Sequence, residues 1–115
     1  MPEIINLNFA TEQYGGDMVF LKTILSMYLT YTPTILADIE KEIASRNIMA
    51  AKAATHKIKT DIMMMGISGV QDYYTLMSSQ NAEHVDFEKT ESYFATFKQR
   101  VTAGLNELKA ELEKM

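Results

Sequence analysis

Residues 47–66 read Asn47-Ile48-Met49-Ala50-Ala51-Lys52-Ala53-Ala54-Thr55-His56-Lys57-Ile58-Lys59-Thr60-Asp61-Ile62-Met63-Met64-Met65-Gly66. Within them Ile48, Ala51, Thr55, Ile58, Ile62 and Met65 recur at alternating three- and four-residue spacing, the signature of one buried face of a helix. Asn47 stands where a side-chain oxygen can accept from the first free helical N–H groups. Gly66 falls just past the end of the stripe or at a close helix crossing.

The same period extends outward in both directions. Gly15-Gly16-Asp17 reads as a break followed by an N-cap, and Met18, Leu21, Leu25, Tyr28, Thr32, Ile35, Ile39 and Ile43 then form one stripe. Pro33 falls inside it, and because the register survives across the proline a kink is expected rather than a split. After Gly66 a helix is expected over roughly Ser68 to Ser79, with Val70, Tyr73, Tyr74 and Met77 inward. The polar stretch Ser78 to His84 reads as a loop. Asp86 then caps a long last helix with Phe94, Phe97, Val101, Leu105, Leu108 and Leu112 inward. No segment alternates with period two. The expected fold is all-α: an antiparallel four-helix bundle forming one domain over 1–115, with a short extra helix near Phe9–Tyr14 across one end.

Composition narrows the chemistry. The chain has 115 residues, 47% of them hydrophobic and 23% charged, which suits a globular domain rather than a disordered tract. The absence of cysteine removes disulfides, thiolate catalysis and thiolate metal sites together. A formal net charge of -4 argues against a nucleic-acid partner, which calls for a basic face. No run of 18 or more apolar residues offers a membrane span, and residues 1–6 lack the pattern of a signal peptide. The expected location is the cytoplasm.

On a helical wheel His56 lies about 130° from the centre of the buried stripe, and so on the exposed flank. Lys52, Lys59, Thr60 and Met63 share that flank at offsets of three, four and seven residues. An exposed neutral imidazole has a ring nitrogen free to act as a nucleophile. A phosphoryl group placed there would add negative charge that Lys59, one turn on, could partly offset. A histidine flanked by lysines is also what an ordinary solvated helix face looks like.

The stretch from His56 to Gly66 resembles the motif of the histidine-containing phosphotransfer (HPt) family, H-x-x-K-G-x-x-x-x-x-G. His56 matches its phosphoaccepting histidine, Lys59 the lysine three residues on and Gly66 the glycine ten residues on. The likeness extends to Gly15-Gly16-Asp17 with Phe20, Leu21 and Leu25, to the helix containing Pro33, and to the Ala-rich approach to the histidine. Thr60 stands where the family usually has glycine, and Ser78 where it often has an acid. Thr60 narrows the approach of a partner, although its hydroxyl offers a bond to a phosphoryl oxygen.

The resemblance implies a phosphocarrier in a two-component phosphorelay, without an ATP site of its own. His56 would accept from the aspartate of a response-regulator receiver domain or a hybrid histidine kinase and pass the group to another receiver. The chain itself would bind no cofactor; Mg²⁺ would come on the partner receiver. Lys52, Thr60, Met63 and Gly66 are the expected partner-docking residues. Two other readings stand beside this one. One is an HPt-like module that docks a receiver without transferring. The other is an unrelated bundle with a ligand in its core, for which only Thr32 and Thr55 supply polar groups on the buried stripes. His84, between Glu83 and Asp86, reads as a solvated loop residue.

Overall fold

In the computed structural model, which describes residues 3–115, the apolar stripes become helices almost residue for residue. Five are present: α1 (Asn8–Tyr14), α2 (Met18–Ala44), α3 (Ile48–Met65), α4 (Gln71–Ser79) and α5 (Phe87–Glu113). Three of them start where the sequence offers a cap. The side chains of Asp17, Asn47 and Asp86 accept from the N–H groups of Phe20, Ala50 and Lys89. Each satisfies one of the donors that a helix start leaves without an internal partner.

The two 27-residue helices, α2 and α5, set the long axis of a molecule measuring 46 × 22 × 20 Å. α2 packs against α3 and α5, α4 packs on α5, and α1 touches both α2 and α3. Leu21, Leu25 and Ile39 of α2, Ile58, Ile62 and Met65 of α3, and Phe97, Val101 and Leu108 of α5 are almost wholly removed from water. Each such side chain contributes about 1.5–3 kcal/mol, which outweighs intrinsic helix propensity in fixing the fold.

α2 continues through Pro33 as one helix. Proline deprives the Leu29 carbonyl of its donor but sits on the exposed side, so the buried register on either side is kept. Met18, expected inward, is instead exposed, and Leu36, off the stripe, is buried. The third expected helix begins later than Ser68, at Gln71, because residues 66–69 are spent on a turn with Gly66 and Gly69 at positive φ. It also runs through Ser79, so the loop is confined to 80–86.

That loop is held by Gln80. Its buried amide donates to the Thr90 hydroxyl at 2.7 Å and accepts from the Asp86 N–H at 2.9 Å. Asn81 and His84 close a tight turn above it through reciprocal backbone bonds, leaving the His84 side chain exposed.

At the other end, residues 4–6 lie along the turn that follows α3. Asn6 N–H donates to the Met65 carbonyl and Ser68 N–H to the Ile4 carbonyl. The Glu107 carboxylate receives the N–H groups of Ile4 and Ile5 at 2.8 and 3.1 Å. Desolvation would raise that carboxyl's pKa, but the amides of Ile4, Ile5 and Glu3, with the Arg100 charge, outweigh it and hold it below the usual range. Arg100 also donates to the Ser68 carbonyl and hydroxyl. The N-terminal strap is thereby clasped to both α3 and α5.

Candidate functional site

Opposite its buried stripe, α3 carries a second stripe with the same spacing: Met49, Ala53, His56, Thr60 and Met63, all exposed. His56 lies at the middle of the helix, and Met49 and Met63, at 54% and 55% exposure, flank it about two turns away on either side. The imidazole therefore projects from a rigid element, between two soft, adaptable apolar side chains. Lys57 and Lys59 are exposed beside it. Asp61, the single acid of α3, is half-buried and lies within electrostatic reach of Tyr28 on α2. No carboxylate stands on the outward stripe.

Beside His56 a groove of about 450 Å³ opens between α3 and α4, lined on the α3 side by Met49, Lys52, Ala53, Thr55 and Lys59, and on the α4 side by Tyr74, Met77 and Ser78. Its floor is set by polar and aromatic contacts. The Thr55 hydroxyl donates to the Ala51 carbonyl at 2.9 Å or pairs with the Tyr73 hydroxyl at 2.8 Å. Tyr73 packs 4.4 Å from Phe97, and burial pushes its phenol up to about 12 despite the bond to Thr55. The Lys59 ammonium lies 5.5 Å from the centroid of the Tyr74 ring.

The expected site residues are thus only partly brought together. His56, Lys59, Thr60 and Met63 share one exposed face. Lys52 borders the groove, but it is half-buried and donates to the Gln80 carbonyl, so it ties α3 to the loop after α4 instead of standing free. Of the two places the sequence allows for Gly66, the structure takes the helix end and not a helix crossing. The glycine lies at the end of α3, roughly 15 Å along the axis from His56, in the left-handed conformation at φ 65°. Its close neighbour is the Asn6 backbone of the strap, not another helix.

The sequence reading missed Met49, Tyr74, Met77 and the exposed side of α2. Between Asp17 and Asp38 that helix has one charged residue, Lys22, and it exposes Val19 (78%), Phe20, Met27 and Tyr31. The absence of charge from Thr23 to Ala37, about four turns, was the available signal. A larger groove, about 710 Å³ between α2 and α5, lies elsewhere and contains no histidine. Comparison with family models, curated proteins and solved structures gives no match.

Asp61 offers a test of this local electrostatics. Burial raises its carboxyl above the ordinary aspartate range, so ionisation is harder in the folded state than in the unfolded chain. A raised acid leaves stability at its fullest below the unfolded pKa and erodes it as pH climbs through the folded one. Asp61→Asn is therefore expected to raise the urea midpoint slightly at pH 7, with the gain vanishing as pH falls below about 4. A lower midpoint at pH 7 would show that the carboxylate is a net stabiliser.

Proposed function

We propose that this protein is a phosphocarrier of the histidine-containing phosphotransfer type, with α2–α5 forming an antiparallel four-helix bundle that holds up His56. The observation that carries this reading is the exposed imidazole of His56 at the middle of α3, without a hydrogen bond to the rest of the described residues, on an acid-free face between two exposed methionines. The His-x-x-Lys spacing and the resemblance built on it support the same conclusion.

In the proposed step a ring nitrogen of neutral His56 attacks the phosphorus of a partner's aspartyl phosphate in line with the leaving carboxylate. The P–O bond breaks as the P–N bond forms, and the carboxylate departs with the electron pair. The other ring nitrogen keeps its proton, giving a phosphoimidazolium. A rigid helix fixes the nucleophile without an ordering cost at the moment of transfer. Lys59 opposes the gathered negative charge. The partner receiver would bring the Mg²⁺ and most of the stabilisation of the moving group.

Met49 and Met63 suit a docking surface that adapts to more than one partner, as a carrier between two receivers requires. Lys57 and Lys59, both exposed, favour a partner with an acidic rim around its phosphoaspartate. Among the described residues no helix is long and apolar enough to cross a membrane.

Thr60, exposed on the same face as His56, favours a second reading: a module that docks a receiver without accepting phosphoryl. Incubation with a panel of phosphorylated receivers separates the two. The carrier acquires an acid-labile, base-stable label. Co-purification with a receiver in the absence of any label would favour the docking module.

A further inference from the structure

We propose that Tyr74 is a positioning residue for Lys59, its ring holding the lysine ammonium at the mouth of the α3–α4 groove beside His56. The inference rests on the phosphocarrier reading above. A lysine on an exposed helix face samples many rotamers, and a charge that must be gathered from all of them helps less than one already in place. Lys59 is exposed, yet its ammonium is found 5.5 Å from the Tyr74 ring centroid. That is within the range at which the negative face of the ring attracts a cation.

The ring is itself fixed. It meets Phe97 edge-on at 5.6 Å and 66° and lies 6.2 Å from Tyr73, which packs on Phe94 and Phe97 in turn. The Tyr74 hydroxyl is buried and has no hydrogen-bond partner among the described residues, so it is the ring face that this residue offers to the site. Desolvation, with a smaller contribution from Tyr73, raises the phenol well above its usual range, so the ring stays neutral.

The kind of contact matters. Among the described residues the ion pairs are Arg46–Glu91, Lys98–Glu40 and Lys114–Glu111, and Lys59 is in none of them. A carboxylate in place of Tyr74 would hold Lys59 equally well but would cancel its charge. An aromatic face holds the ammonium and leaves the full positive charge available to a phosphoryl group on His56. The arrangement recruits charge without spending it.

The test uses the whole chain and phosphoramidate, a small donor that needs no partner: its P–N bond breaks, ammonia leaves and the phosphoryl group passes to the imidazole. In the unphosphorylated protein, the Lys59 methylene protons next to the ammonium should be shifted upfield by the ring in NMR spectra. The shift should persist in Tyr74→Phe and vanish in Tyr74→Leu. Labelling of His56 should be unchanged in Tyr74→Phe and about two- to fivefold slower in Tyr74→Leu. In a Lys59→Ala background, Tyr74→Leu should have no further effect, because a positioning residue acts only through the group it positions. An undiminished rate in Tyr74→Leu, or an equal loss with and without Lys59, would overturn the proposal. If Tyr74→Leu does not fold, a missing ring-current shift in the wild-type or Tyr74→Phe protein overturns it equally. Normal labelling by phosphoramidate with no passage of label to or from any receiver would defeat the carrier reading while leaving the Tyr74 comparison decided.

Discussion

Replacing His56 by Gln is expected to reduce phosphoryl labelling, from receivers and from phosphoramidate alike, to background. Glutamine keeps a polar group of similar reach but has no ring nitrogen with a free lone pair, so no P–N bond can form. The fold should hardly notice. His56 is exposed and makes no hydrogen bond to the rest of the described chain, so the unfolding free energy should stay within about 0.5 kcal/mol. This separation of effects is what makes the variant decisive: loss of label accompanied by an unchanged circular dichroism spectrum and urea midpoint assigns the chemistry to the imidazole. Undiminished labelling would rule out the proposal and turn attention to His84, the other histidine of the chain.

The largest effect on stability is expected at Gly66. Its φ of 65° lies in the left-handed region, where a side chain costs about 1–2 kcal/mol. A Cβ there would also fall 2.0 Å from the Asn6 carbonyl oxygen and 2.8 Å from its carbon and nitrogen. Asn6 cannot simply retreat, because its own N–H is bonded to the Met65 carbonyl and its neighbours Ile4 and Ile5 are bonded to Glu107. Gly66→Ala should therefore cost about 2–4 kcal/mol, the sum of backbone strain and a displaced strap, read as a lower urea midpoint at unchanged slope. A loss under about 1 kcal/mol would mean that the strap yields freely. Phosphoryl acceptance at His56 should survive wherever the protein remains folded, since the glycine is well removed from the imidazole.

The two residues also show what a sequence can and cannot disclose here. Helices α2, α3 and α5 were legible because their stripes repeat over many turns and their caps, Asp17, Asn47 and Asp86, are local features acting within three residues. The exposure of His56 followed from the same geometry. What escaped was set by contacts between residues distant in sequence. Gln80 is bonded to Thr90 and Asp86, and reads in isolation as one more polar loop residue. Lys52 looked free on the wheel because the carbonyl that binds it comes from 28 residues away. Gly66 read equally well as a terminator or a crossing point, and only the strap, arriving from the N-terminal side, shows what its missing side chain makes room for. Ala54 and Met64 are buried off the stripe on a helix that touches α1 and α5 as well as α2. Periodicity finds the face turned to the main neighbour and is blind to the flanks.

The clasp at Glu107 has a consequence for how the molecule comes into being. Ile4 leaves the ribosome 103 residues ahead of the carboxylate that receives its amide. The histidine helix can coil, and pack on α2, well before that carboxylate has been translated. A nascent chain stopped short of residue 107 would thus display His56 on a helix whose end is still unfastened, with the strap exposed to proteases and chaperones. Fastening therefore waits until most of α5 has been made.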